Sequence, residues 1–295
     1  MAILSINSHV AFGHVGNSAT VFPLQCLGHE VWPVHTTLLS NHPGHGRWRG
    51  GAVEAHRVAE VLDGIADRGA YAGVEAVLTG YLGGVDTGEA ALEAVAAVKA
   101  AAKETSADAF YCCDPVIGDD DEGLYVADAL ARWFGNRAIA AADIVTPNRF
   151  ELAHLSGRPA DTETQALAAA RALIGRGPRL VVATSVPTDG GGTRAGGDNM
   201  VATLAVAADS AWQVTTPRLA SRAKGAGDVL AALFVGHTVK GADAGAALGL
   251  AVSSVFGLIA AGGSSDGEPA RDLPLVAART EIDQPSTRFY AERLD

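Results

Sequence analysis

Short apolar runs alternate with helical stretches through the first two thirds of this chain, and that alternation narrows the fold more than any other feature. Ala2–Asn7, Val31–Val34, Ala76–Leu78, Ala109–Cys113, Ile144-Val145 and Leu180–Ala183 read as short buried strands. Helices are expected among them over Ser18–Leu27, Glu54–Asp67, Glu89–Lys103 and Glu163–Ile174. This pattern implies a central, mostly parallel sheet covered by helices on both faces. After Thr184 the pattern changes. Met200–Ala207 and Ala211–Thr216 predict an antiparallel hairpin through Ala208-Asp209-Ser210, preceded by a glycine-rich loop, Asp189–Asp198. Two apolar helices and a polar loop, Gly262–Glu268, follow. No repeat or linker interrupts the chain, so residues 1–295 are expected to form one α/β domain.

A hydrophobic fraction of 48% is ample for a large core, and a net charge of −11 argues against nucleic acid or an anionic membrane as partner. An anionic substrate would then be met by backbone amides, metal ions or a few arginines. Ala244–Ala261 carries no charge and approaches membrane-spanning length, but its glycines and serines and the N-capping Asp243 suit a buried helix better. The N-terminus lacks a basic region and reads as a strand, which leads to the expectation of a soluble, cytoplasmic protein. Cys26, Cys112 and Cys113 are too few for a disulfide framework or a zinc site and read as reduced thiols. The histidines at 9, 14, 29, 35, 42 and 45 match no zinc spacing.

The chemistry concentrates in Lys224-Gly225-Ala226-Gly227-Asp228, where a glycine turn feeds an apolar helix. Open N–H groups at a helix start attract anions. A carboxylate there competes with the anion unless it serves to take a proton from a hydroxyl while the amides hold a phosphoryl group. The plain alternative is an aspartate N-cap. No Gly-x-x-x-x-Gly-Lys-Ser/Thr run is present, so the phosphate site is not a P-loop. Gly190-Gly191-Gly192 has no helix after it and reads as a flexible cover. Arg218 suits an adenine contact or a solvated surface equally well.

Further motifs fall into a known order: Ser8-His9-Val10, Gly13-His14-Val15-Gly16-Asn17-Ser18, Ser40-Asn41-His42, Gly80-Tyr81-Leu82-Gly83, Cys113-Asp114-Pro115-Val116-Ile117-Gly118-Asp119, and Thr146-Pro147-Asn148-Arg149-Phe150-Glu151-Leu152. With the Gly-Ala-Gly-Asp turn, this set resembles the pyridoxal kinases of the ribokinase-like superfamily over nearly the whole chain. The resemblance implies ATP-dependent phosphorylation of the 5′-hydroxyl of pyridoxal, with Mg²⁺ and a monovalent cation, K⁺ or Na⁺, in a homodimer. It assigns Asp228 as base and Gly225, Ala226 and Gly227 as the anion hole. Ser8, His42 and Tyr81 would line the pyridine pocket. Asp119, Asn148, Glu151, Thr184 and Ser185 would face the nucleotide, and Asp114, Thr146 and Glu151 the cations. Without the resemblance, Asp119 suits a solvated acidic loop, and Asn148 and Thr184 suit turn chemistry. Pro43 and Ala226 stand where many members carry threonine. Related readings are a hydroxymethylpyrimidine kinase and a non-catalytic pyridoxal 5′-phosphate reservoir.

Overall fold

The computed structural model describes residues 2–188, 200–221, 223–265, 268–269 and 271–294. The glycine-rich loop expected at Asp189–Asp198 lies outside them. In chain order the elements begin with β1 (Ala2–Phe12), α1 (Asn17–Cys26), β2 (Glu30–Asn41), β3 (Gly50–Ala52), α2 (Ala55–Ala66), β4 (Val74–Thr79), α3 (Val85–Glu104) and β5 (Phe110–Cys113). The short strands β6 (Gly118–Asp119) and β7 (Gly123–Leu124) precede α4 (Asp128–Trp133), a π turn and α5 (Ile139–Ala141). Then come β8 (Ile144–Val145), α6 (Arg149–Ser156), α7 (Glu163–Ile174), β9 (Leu180–Pro187), β10 (Met200–Val206), β11 (Ala211–Pro217), α8 (Ala226–Val239) and α9 (Ala244–Gly262). The small strands β12 (Ser264–Ser265) and β13 (Glu268–Pro269), helix α10 (Thr280–Asp283) and β14 (Glu292–Leu294) complete the chain.

Ten strands form one sheet in the order β14-β11-β10-β9-β8-β5-β4-β1-β2-β3. The run from β9 to β2 is parallel, while β10, β11 and β14 on one flank and β3 on the other are antiparallel. Successive strand residues feed opposite faces. Leu4, Ile6, Val77, Tyr111, Val145 and Val181 enter one core, covered by α2 to α7. Ile3, Leu78, Cys112, Ile144 and Val182 enter the other, covered by α1, α8, α9 and α10. This period of two explains why the strands read as unbroken apolar runs. Helix α9 is long and apolar enough to cross a membrane, yet most of it is buried against α8, β10 and β11. Asp243 caps it as expected, its Oδ1 accepting from the Ala246 amide at 2.8 Å.

The strands that reach the site run past their expected ends. β1 continues to Phe12 and β2 to Asn41, with a register slip between Asn7 and His9. β9 continues to Pro187, and Thr184-Ser185 bulges where Thr203 alone stands opposite. Bulges of this kind re-aim side chains at the rim of a sheet. The chain leaves β1 toward β2 on one side and later returns to β4 on the other. The β1–β4 pair is therefore the topological switch point, whose carboxyl ends open a crevice in such folds.

Candidate active site

Asn7, which sequence reasoning passed over, is the hub of that crevice. It is buried midway along β1, at the register slip that precedes His9. Its Oδ1 accepts from the amides of Ser8 and Tyr81, both at 2.8 Å. Its Nδ2 donates to Asp228 Oδ1 at 3.0 Å. One side chain thus ties together Ser8, Tyr81 and Asp228, three of the four residues expected around the substrate. The signal available was a polar residue closing an apolar strand, which a turn explains equally well.

Asp228 is not the cap of its helix. The N-cap of α8 is Gly225 in the left-handed region, φ 90°, and no side chain among the described residues caps this end. A Cβ on Gly225 would lie 2.0 Å from the His14 carbonyl oxygen, so glycine is required by space as well as by conformation. Among the described residues the first amides of α8 therefore have no side-chain acceptor. Asp228, the third helical residue, accepts from the Gly16 amide and from Asn7. Burial raises its pKa, and those two donors oppose the rise.

Asp114 follows β5 and is buried, with Oδ1 accepting from Thr146 Oγ1 at 2.8 Å. Burial and then the charge of Asp228 push its carboxyl up to about 8, and the Thr146 hydroxyl offsets only part of this. Glu151 begins a third buried carboxylate, raised by burial and by Asp114. It also forms a capping box with Asn148: Glu151 Oε2 accepts from the Asn148 amide at 2.9 Å, and Asn148 Oδ1 accepts from the Glu151 amide at 2.9 Å. Glu151 Oε1 takes the Ile117 amide at 3.0 Å. Asn148 Nδ2 donates to the Gly118 carbonyl at 2.8 Å, leaving one amide hydrogen for a ligand. Hard carboxylate oxygens in this number suit a divalent cation such as Mg²⁺. Among the described residues no three His, Cys, Asp or Glu converge into a cage, so water and phosphate oxygens would complete the shell.

Lys224, noted in the sequence only as part of the turn, ties that turn to the acidic loop after β6. Its Nζ lies 3.2 Å from Asp119 Oδ2 and 3.2 Å from Glu122 Oε1. Asp119 also accepts from the amides of Asp121 and Glu122 at 3.0 and 2.7 Å, so it organises the acidic loop as well as facing solvent. Burial works against its ionisation, but the Glu122 amide and Lys224 outweigh it and lower the pKa. His42 stands across from Lys224. Its Nδ1 accepts from the Gly44 amide at 3.0 Å, and burial, then the Lys224 charge, lowers its pKa. Thr184 is bridged to Asn148 through the backbone, its amide donating to the Pro147 carbonyl at 3.0 Å. Ser185 beside it is exposed with φ 60°, a conformation uncommon outside glycine. Ser8, Tyr81 and His42 are each half-buried, and Asn7 joins the first two.

A doubly covered sheet with an open helix start and a buried carboxylate at its switch point defines a ribokinase-like kinase. The family model for phosphomethylpyrimidine kinase matches residues 64–266. A pyridoxal kinase PdxY of Rubrobacter xylanophilus is 45% identical over 99% of this chain and 97% of its own length. That of Corynebacterium diphtheriae is 42% identical over the full length of both. A pyridoxal kinase from Leishmania donovani, solved in complex with ADP and pyridoxamine, superposes with a TM-score of 0.91 at 28% identity, covering 100% of this chain and 99% of that one. The chain belongs to the pyridoxal kinase family.

Proposed function

We propose that this protein transfers the terminal phosphoryl group of ATP to the 5′-hydroxyl of pyridoxal, with Asp228 as the general base. The observation that carries the reading is Asp228 itself, a carboxylate aimed by Asn7 and the Gly16 amide beside the uncapped start of α8. As the hydroxyl oxygen bonds to phosphorus and the bond to the ADP oxygen breaks, the hydroxyl proton passes to Asp228. A carboxyl with a pKa raised by burial is a better proton acceptor than a solvated one. The amides of Gly225, Ala226 and Gly227 stabilise the equatorial oxygens of the group in flight. Lys224 adds a positive charge at the same edge. Ser8, Tyr81 and His42 hold the pyridine ring. Asp119, Asn148, Glu151, Thr184 and Ser185 form the nucleotide side.

Asp114, Glu151 and Thr146 would hold the cations. Mg²⁺ would supply charge neutralisation of the phosphates there, and K⁺ or Na⁺ would support the same region. The protein acts in the cytoplasm as a homodimer in this reading.

Turnover with ATP and pyridoxal, pyridoxine, pyridoxamine or hydroxymethylpyrimidine tests the substrate. Pyridoxal should be used, and exclusive use of hydroxymethylpyrimidine would overturn the reading. Asp228→Asn should lower kcat by about 10²-fold or more while ATP still binds. A variant within a few-fold of the parent would remove Asp228 from the proton transfer.

A further inference from the structure

One segment outside the machinery described above touches two of its parts. Arg271-Asp272 lies between α9 and α10 in the chain, yet it reaches the crevice. The Lys224 amide donates to the Arg271 carbonyl at 3.3 Å, and Lys224 and Asp272 form a parallel bridge. This backbone contact braces Lys224, the residue just before the anion turn. The side chains go elsewhere. Arg271 Nη1 donates to the Gly44 carbonyl at 3.2 Å, and Asp272 Oδ1 lies 3.3 Å from His45 Nε2. Both land on the turn that begins at His42, whose carbonyl accepts from the His45 amide at 3.0 Å.

His45 is gripped from two sides. The Phe12 ring meets it edge-on, with centroids 5.8 Å apart and planes at 85°. Asp272 approaches its Nε2 to ion-pair distance, and this buried atom has no hydrogen-bond partner among the described residues. Space for the carboxylate is made by Gly13, where a Cβ would stand 2.4 Å from Asp272 Oδ1. A glycine in β1's exit turn, an aromatic at β1's end and an acid from the C-terminal segment thus converge on one imidazole. That imidazole sits three residues beyond His42, the residue assigned to the pyridine ring.

We propose that Asp272 is a positioning residue which, through His45, locks the His42–His45 turn over the substrate pocket and so sets affinity for the pyridine substrate. The proposal rests on the functional reading above. Asp272 touches no reacting atom. Its backbone serves the phosphate side and its carboxylate the ring side, so removing the charge alone separates the two.

The test compares Asp272→Asn, His45→Gln and the double variant with the parent, measuring kcat and the KM for pyridoxal and for ATP. Each single variant should raise the pyridoxal KM by about 3- to 10-fold, the scale of a lost charge-assisted contact. The ATP KM and kcat should stay within about twofold. The double variant should match the singles, because either change breaks the same link. Additive effects, an equal rise in both KM values or an unchanged pyridoxal KM would overturn the proposal. Should Asp272→Asn fail to fold, His45→Gln leaves the backbone bridge untouched and carries the test through the same KM split. Pyridoxal turnover by the parent with additive variants would refute this link alone. Absence of parental turnover would refute the functional reading beneath it.

Discussion

Gly80→Ala is the most discriminating perturbation of the site, because it adds one methyl group and touches no candidate catalytic residue directly. Gly80 follows β4, and its amide donates to the Ile6 carbonyl at 3.1 Å. It does not need the left-handed region, so alanine costs nothing in backbone conformation. The added Cβ would stand 2.2 Å from Asn7 Nδ2, 2.5 Å from Cγ and 2.6 Å from Oδ1. Asn7 cannot simply swing away, since its Oδ1 is held by two amides and its Nδ2 by Asp228. The bond to Asp228 is the one a displaced amide would lose. A hydrogen bond to a charged group is worth about 1.5–3 kcal/mol, or roughly 10- to 150-fold in kcat/KM.

Steady-state kinetics on Gly80→Ala should therefore show a fall in that range, carried by kcat, with the ATP KM little changed. Asn7→Ala should show a fall of similar size. Adding Gly80→Ala to Asn7→Ala should cost little more, because the clash partner is gone. A folded Gly80→Ala variant within about threefold of the parent would refute the hub. So would full additivity of the two substitutions, which would mean that each acts by its own route.

Two further outcomes follow from charges that the fold buries. Activity should require Mg²⁺ or a similar divalent ion and rise when K⁺ replaces a bulky organic cation; full turnover in excess chelator would refute the cation role of Asp114, Thr146 and Glu151. His237, near the end of α8, is buried with its Nε2 unpartnered among the described residues, and burial pushes its pKa down to about 4. The native ring stays neutral while the unfolded ring takes a proton below its ordinary 6.5, so this contribution to stability is intact above that pH and is lost as pH falls toward 4. Denaturant unfolding of His237→Gln against the parent should show their stability difference shift by about 3 kcal/mol between pH 7 and pH 4; a constant difference would refute the assignment.

The layered sheet was legible because its signal is periodic. Ile144-Val145, Glu163–Ile174 and the hairpin after Met200 stand where the apolar pattern put them. Strand ends were not, because β1 and β9 continue through polar residues: Ser8 and His9 in one, Thr184 and Ser185 in the other. Pairing with β2 and β10 keeps these segments extended regardless of their polarity. Helix α1 runs from Asn17 to Cys26 close to its expected span of Ser18–Leu27, although it contains Pro23. Within the site, the place of Asp228 at a helix start was legible from its glycine turn, whereas Asn7 and Asp272 meet partners 221 and 227 residues away in the chain. No local pattern encodes such a pairing; only the order of the strands brings those residues together.

That order also decides how three buried carboxylates coexist, and their compensation is unequal. Glu151 receives backbone amides at both oxygens and at the same time caps α6. Asp228 receives the Gly16 amide and Asn7. Among the described residues Asp114 receives the Thr146 hydroxyl alone, although the charge of Asp228 bears on it. The first two therefore hold their places with protein donors, and fixed donors keep a group oriented whether or not a ligand is bound. Asp114 is left as the carboxylate whose ionised form has most to gain from a cation. The proposed proton acceptor and the helix cap are thereby rigid parts of the fold, while the charge balance at the end of β5 is left open for what the substrates bring.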